Sequence, residues 1–184
     1  MDQRERILQA AARVAGEKGF EAGSMRDIAA AAGVATGTVY IYFRGKRELL
    51  KAFVDEMGED SGAAAAVVAD LPPQQALEQF VAERLRFLRA RRGLASAVLA
   101  EALFDREVAQ AVKEKVARPM RAVLRNLLKA CGATDPGEAA AVGWDLIVFD
   151  AVMAPSIGQE LSAGKLASRI WALAGCRARR GGRK

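Results

Sequence analysis

The sequence predicts an all-α protein of about nine helices, and three observations carry that prediction. Alanine supplies 39 of the 184 residues and proline only five. Aromatic residues are held to 6%. Apolar residues recur at three- and four-residue spacings along most of the chain, and no alternating run suggests a strand. An apolar content of 52% beside 27% charged residues is a globular composition.

The elements follow in order. Ile7, Leu8, Ala11, Val14 and Ala15 share one face of a helix over 4–18, which Gly19 stops. Ser24-Met-Arg-Asp27 is a capping-box pattern opening a short second helix, which Gly33 ends. Thr36 is placed to cap a third helix over 36–43. A fourth starts near Lys46 with Leu49, Leu50, Phe53, Val54 and Met57 on one stripe. Whether it stops at Gly58 or runs on through Ala63–Ala69 is left open. Leu71-Pro72-Pro73 is a firm break. Leu77, Phe80, Val81, Leu85 and Leu88 line a helix over 74–91, Gly93 interrupts, and Leu94 to Phe104 is a short apolar helix. A long helix over 105–131 follows, with Pro119 expected to kink it. A loop over 132–137 leads to an apolar helix from Glu138 to Met153, and a last helix covers 159–175.

Composition excludes several chemistries. The chain has no histidine, which removes Ser-His-Asp and Cys-His nucleophile systems and HExxH zinc sites. Cys131 and Cys176 cannot build a disulfide framework; Cys131 continues an apolar stripe and is expected to be inert, and Cys176 to be exposed. No catalytic, metal or cofactor site is expected. Ser162-x-x-Lys165 matches a short SxxK string without its partner motifs. The longest apolar stretches are too short to span a membrane, and the charged N-terminus does not resemble a signal peptide, so a cytoplasmic location is expected. Residues 1–50 carry a net charge of +2, residues 51–160 of −3 and residues 161–184 of +7. The pI near 9.7 therefore comes mostly from the tail, and nucleic-acid contact has to come from a local patch.

One such patch has a geometric code. Ala29, Gly33 and Val39 provide the small residue, the turn glycine and the sealing apolar residue of a helix-turn-helix unit, with Ile28, Val34 and Tyr42 as further sealing positions. The surrounding segment Ile28-Ala-Ala-Ala-Ala-Gly33-Val34-Ala-Thr-Gly37-Thr38-Val39-Tyr40-Ile-Tyr42-Phe43, followed by Lys46-Arg47-Glu48-Leu49-Leu50, resembles the signature of the TetR family of transcriptional regulators. Arg6-Ile7-Leu8-Gln-Ala-Ala-Ala with Gly19-Phe20 resembles that family's first helix. The strong resemblance covers about residues 4–57; beyond it, only the helix count and Ala100-Glu101-Ala-Leu-Phe104-Asp are similar to some members. Ala35 stands where a serine is common, and Gly45 where serine or asparagine usually caps the fourth helix.

Residues 28–43 contain no charged side chain. Base reading from the third helix therefore falls to the hydroxyls of Thr36, Thr38 and Tyr40 and to contacts with thymine methyls, with Gly37 permitting close approach. Arg26, Tyr42, Arg44 and Lys46 are the expected phosphate clamps. Ser24 and Ala35 complete the expected DNA-facing set. Phe43 reads equally well as core. The resemblance implies three regions: a DNA-binding domain over 1–45, a helical ligand-binding and dimerisation domain over 46–176, and a basic tail over 177–184 expected to be disordered.

Dimerisation follows from the need for two reading helices about one DNA turn apart. The expected interface uses Leu146, Val148, Val152 and Met153 from one helix, and Ala163, Leu166, Ala167, Ile170 and Trp171 from the next. The resemblance also implies a pocket for a small, mostly apolar effector. Candidate lining residues are Phe80, Arg84, Leu88, Leu99 and Phe104, then Met120, Leu124, Trp144 and Phe149. Each also reads as plain core, and Arg84, Glu101, Asp145 and Asp150 as solvated charges. The implied protein is a homodimeric, ligand-responsive repressor on a palindromic duplex operator. An activator, or a ligand-independent DNA-binding protein, is the alternative.

Overall fold

The computed structural model describes residues 2–176, so the predicted tail over 177–184 lies outside the described residues. Among the described residues the protein is helical with no strand, as the alanine content and the three-four periodicity require. The helices are α1 (Gln3–Lys18), α2 (Met25–Ala32), α3 (Thr36–Tyr42), α4 (Lys46–Val68), α5 (Pro73–Ala90), α6 (Arg92–Ala102), α7 (Arg106–Ala111), α8 (Arg118–Ala130), α9 (Pro136–Val152) and α10 (Ala163–Leu173). A π-helical turn, Val112–Ala117, joins α7 to α8, and a 3₁₀ turn, Ala154–Ile157, follows α9.

The chain forms two compact units. The first comprises Met1–Asp60 and Arg86–Ala117, and the second Ser61–Leu85 and Arg118–Lys184. Two of the three boundaries fall inside α4 and α5, and the third where the π turn meets α8.

In the first unit, α1 buries Ile7, Leu8, Ala11, Val14 and Ala15. Ile28, Ala29 and Ala32 of α2, Val39 of α3 and Leu49, Leu50, Phe53 and Val54 of α4 are buried with them. Phe43 is core, and the Arg4 guanidinium lies 5.4 Å from its ring centroid. Gly93 does not interrupt a helix; it lies in the first turn of α6. A Cβ there would stand 2.4 Å from the carbonyl carbon of Ala15 and 2.5 Å from the amide nitrogen of Gly16, so only hydrogen fits where α6 crosses α1.

The long helix predicted over 105–131 is continuous from Arg106 to Ala130, and its disturbance is a π-helical stretch just before the proline. Pro119 has no N–H to give the carbonyl four residues back, which belongs to Lys115. The π turn ends at Ala117, two residues short of Pro119. The Lys115 carbonyl instead faces α4 at Gly58, where a Cβ would sit 2.7 Å from its oxygen. That contact explains why α4 tolerates glycine in mid-helix and runs on unbroken to Val68.

In the second unit, α8 buries Met120, Leu124 and Leu128, α9 buries Ala140, Trp144 and Ile147, and α10 buries Leu166, Ala167 and Ile170. Gly143 sits where they meet, with Leu124 and Ile170 side chains 3.0 and 3.1 Å from where its Cβ would be. Ser162 of the SxxK string is the N-cap of α10, its hydroxyl accepting the Lys165 N–H at 3.4 Å. The last helix is shorter than the predicted 159–175 because this cap opens it.

Candidate nucleic-acid interface

The helix-turn-helix is built from backbone constraints upward. Ser24 caps α2 by accepting the Asp27 N–H at 3.1 Å, and Asp27 accepts the Ser24 N–H at 2.9 Å, completing the capping box. Lys18 of α1 reaches the same carboxylate at 2.7 Å. The Lys18 hydrogen bond, then those of Ser24, hold the Asp27 carboxyl well below the usual carboxylate range. At the other end of α2, Gly33 is left-handed with φ 67°, and Val34 N–H donates to the Ala29 carbonyl at 3.0 Å. This Schellman-type stop turns the chain into α3.

Two arginines of α1 support that stop. Arg6 donates to the Ala32 carbonyl at 3.2 Å and Arg13 to the Ala31 carbonyl. Cations thereby satisfy the negative C-terminal end of α2. Their sequence signal is a pair of cations at i and i+7 on the helix that precedes the uncharged stretch 28–43.

The N-cap of α3 is Ala35, with no side-chain hydrogen bond, so Thr36 is the first helical residue and not its cap. Its hydroxyl is not spent on capping. Val39 is fully buried and pins α3 from beneath. Gly37, Tyr40 and Ile41 face out, with Tyr40 at 50% and Ile41 at 81% exposure. Thr36 and Thr38 are half-buried, Ala35 is exposed, and Tyr42 is exposed although the code offered it as a sealing residue. Ile41 was missed by the sequence reading; it lies four residues from Gly37, on the same helical face. A Cβ at Gly37 would meet nothing within 4 Å, so no contact inside the first unit calls for glycine at this helical position.

The flanking cations differ in their commitments. Arg26 is exposed and makes no hydrogen bond or ion pair to any described residue. Lys46 donates to the Glu21 carbonyl at 2.6 Å and lies 5.4 Å from the Phe20 ring centroid, tying the start of α4 to the α1–α2 loop. The Arg44 side chain is 91% exposed and lies 3.9 Å from Glu48. Glu48 also accepts the Arg44 N–H at 2.7 Å, which does the work that Gly45, without a side chain, cannot do. Ser24 is exposed beside Arg26, so the structure gathers Ser24, Arg26, α3, Arg44 and Lys46 along one helix-turn-helix.

An open cleft of about 860 Å³ in the same unit is bordered by Asp2, Glu5, Asp55, Glu56 and Glu59, with Arg4 and Lys115 at its edge. That acidic border repels a phosphate backbone. Burial pushes the Glu56 carboxyl up, against the pull of Arg91 2.7 Å away.

The candidate effector residues divide between the units. Phe80, Arg84, Met120, Leu124 and Trp144 are buried in the second unit, where Phe149 is half-exposed. Leu88 is buried in the first unit, and Leu99 and Phe104 lie on its surface, Phe104 at 90% exposure. Two charges read as solvated are buried instead: Arg84 and Asp150 are each 4% exposed. Asp150 accepts the Leu161 N–H at 3.0 Å and so holds the segment that enters α10. Asp145 is exposed and paired with Arg121 at 2.7 Å, and Glu101 is half-buried. Of the candidate interface residues, Val152, Leu166, Ala167 and Ile170 are buried within the chain. Leu146, Val148, Ala163 and Trp171 are half-buried, and Met153 is exposed. Cys176 is buried and not exposed. No described helix is long and apolar enough to cross a membrane.

Comparison with known proteins agrees with this geometry. Residues 7–53 match the family described as bacterial regulatory proteins, tetR family. The HTH-type transcriptional regulator YvdT of Bacillus subtilis strain 168 is 45% identical over 53 residues, 29% of this chain and 27% of that protein. The fatty acid metabolism regulator protein of the same organism is 41% identical over 54 residues, 29% of this chain and 28% of that protein. The chain thus spans little more than a quarter of the curated relatives it matches. The transcriptional regulator FadR from Bacillus subtilis, solved in complex with stearoyl-CoA, superposes with a TM-score of 0.72 over 92% of this chain and 96% of its own, at 22% identity. That is a likeness of fold. The packed turn at Gly33, the buried Val39 and the match over residues 7–53 have one common account: these N-terminal helices form a helix-turn-helix similar to that of the tetR family of bacterial regulatory proteins.

Proposed function

We propose that the protein is a sequence-specific DNA-binding transcriptional regulator that acts as a homodimer on a palindromic operator and is released by a small, mostly apolar effector. The observation that carries the reading is the outer face of α3. Glycine inside a helix costs about 1 kcal/mol relative to alanine. Gly37 meets nothing in the first unit that would justify that cost. Close approach of an external surface justifies it, and Tyr40 and the threonine hydroxyls flank the approach.

Arg26 and Arg44 are the phosphate clamps on either side, with Lys46 contributing its charge from a tethered position. Homodimerisation is supported by a stripe on α9. Val142, Phe149 and Met153 are exposed apolar residues, and half-buried Leu146 continues their spacing. The burial of Phe80, Arg84, Met120, Leu124 and Trp144 in the second unit supports an effector site among them. Since α4 and α5 each carry residues of both units, a shift of either helix changes the reading unit directly. Repression and release require a differential affinity of about 1–3 kcal/mol between the two states. The ligand named for the Bacillus subtilis FadR makes a long-chain acyl-CoA the first effector to try.

The test is selection from a random duplex library followed by gel shift of the selected site across salt concentrations. A palindromic site with A·T positions under α3, bound with a steep salt dependence and released by acyl-CoA, is expected. Equal binding to every duplex overturns the sequence-specific reading. Binding unaffected by acyl-CoA removes that effector class.

A further inference from the structure

The only two cysteines of the chain lie far apart in sequence and at adjoining helix ends of the second unit. Each occupies a rigid helix end. Cys131 terminates α8, where Gly132 at φ 76° directs its N–H to the Lys129 carbonyl at 3.0 Å and the Ala133 N–H to the Leu128 carbonyl at 3.1 Å. Cys176 follows α10, where Gly175 at φ 68° donates to Ala172 at 3.1 Å and Cys176 itself to Trp171 at 3.2 Å. Both are Schellman stops, which fix the Cα–Cβ direction of the residues they contain. The two stops are joined: the Thr134 N–H donates to the Ala174 carbonyl at 3.2 Å, and the Thr134 hydroxyl packs on Gly175. These contacts bring the two helix ends that carry the thiols against one another. No group of three or more histidine, cysteine or acidic side chains suited to a metal ion occurs among the described residues.

We propose that Cys131 and Cys176 are a reversible dithiol–disulfide pair, whose oxidation closes the segment bearing α9 and α10 into a covalent ring. The oxidant is a low-molecular-weight disulfide. Cys131, the more accessible thiol, loses its proton to solvent and attacks one sulfur of the small disulfide. The small S–S bond breaks and one small thiolate leaves. Cys176 then attacks the Cys131 sulfur of the mixed disulfide, and the second small thiolate leaves. The protein pair loses two electrons and two protons, and the small disulfide becomes two thiols. Burial pushes the Cys131 thiol up to about 12 and raises Cys176 as well.

The experiment treats the reduced full-length protein with excess oxidised glutathione at pH 8.5. Remaining thiols are then blocked with iodoacetamide, and the unreduced peptides are mapped by mass spectrometry. Expected is loss of both free thiols, a Cys131–Cys176 crosslinked peptide in a chain of monomeric mobility on a non-reducing gel, and full reversal by dithiothreitol. Cys131→Ser and Cys176→Ser should each accumulate a glutathione adduct on the remaining cysteine. Stable adducts on the wild type, disulfides between chains, or unreacted thiols overturn the proposal. Urea unfolding supplies a measurement that needs no variant. The oxidised wild type should unfold at a higher midpoint than the reduced form, and identical midpoints overturn the claim that the ring constrains α9 and α10. Neither result depends on whether the chain binds DNA.

Discussion

Arg6 and Arg13 illustrate how much of the helix-turn-helix depends on single side chains outside α3. Each supplies a charged donor to a carbonyl at the end of α2. Removing one leaves a carbonyl short of a partner, at a cost of about 1 kcal/mol. Arg6→Ala should lower the thermal midpoint by roughly 3 °C, followed by circular dichroism. Arg26 should behave differently. It makes no hydrogen bond or ion pair to a described residue, so Arg26→Ala should leave the melting temperature unchanged. The slope of log affinity against log salt should fall by about one. Lys46→Ala should change both, because its ammonium also holds the Glu21 carbonyl. Tyr40→Phe should shift base preference in a selection experiment while leaving the salt slope alone.

Asp27 gives the unit an acid sensitivity whose sign is fixed. Its carboxyl is lowered in the folded chain, so its contribution is present above the ordinary aspartate value near 4 and fades as pH falls below it. A melting series from pH 6 to pH 3 should show the wild type losing stability faster than Asp27→Asn. Parallel curves would remove Asp27 as the cause. Glu56 acts in the opposite sense, since a raised carboxyl gains a proton more readily in the folded state as pH falls.

At the scale of elements, close approaches decide more than periodicity does. Gly93 reads as a breaker in the sequence because glycine is a poor helix former. Its reason is a neighbour 78 residues earlier in the chain, the Ala15–Gly16 peptide. Gly93→Ala should cost about 1–3 kcal/mol through overpacking, measured by urea unfolding, whereas Gly16→Ala meets nothing within 4 Å and should be neutral or better. The π turn has the same origin. Pro119 announced a disturbance, but its form depended on where the Lys115 carbonyl could turn, and Gly58 of α4 decides that. The capping box at Ser24, the turn at Gly33 and the stop at Gly19 were legible because each is settled by residues within a few positions. Buried Arg84 and Asp150 were not, because a charge is placed by partners that spacing on its own helix cannot reveal.

For the whole molecule, helical class and the helix-turn-helix were readable from alanine content, period and the Ala29–Gly33–Val39 code. The division into units was not. A break after residue 45 follows the motif, whereas the compact first unit also includes Arg86–Ala117. That return is held by ion pairs of Arg47 and Lys51 with Asp105 and Glu107, acids that no local pattern connects to the motif. Assembly belongs to this scale as well. Phe149→Arg and Met153→Arg on the α9 stripe should convert a dimer to monomers at micromolar concentration by sedimentation, and should weaken operator binding while leaving the α-helical spectrum intact. A wild type already monomeric under those conditions would refute the homodimer.

The outward face of α3 carries no carboxylate, ammonium, guanidinium or imidazole group. The choice among operators should then hold steady between about pH 6 and 9, a range in which ordinary side chains other than histidine and cysteine keep their charge. On the proposed function, ionic strength sets the grip on DNA through the arginines beside that face and leaves the preference unaltered. On the same proposal, a change in ion concentration or effector supply retunes the protein, whereas a mild change of pH leaves its preference unchanged.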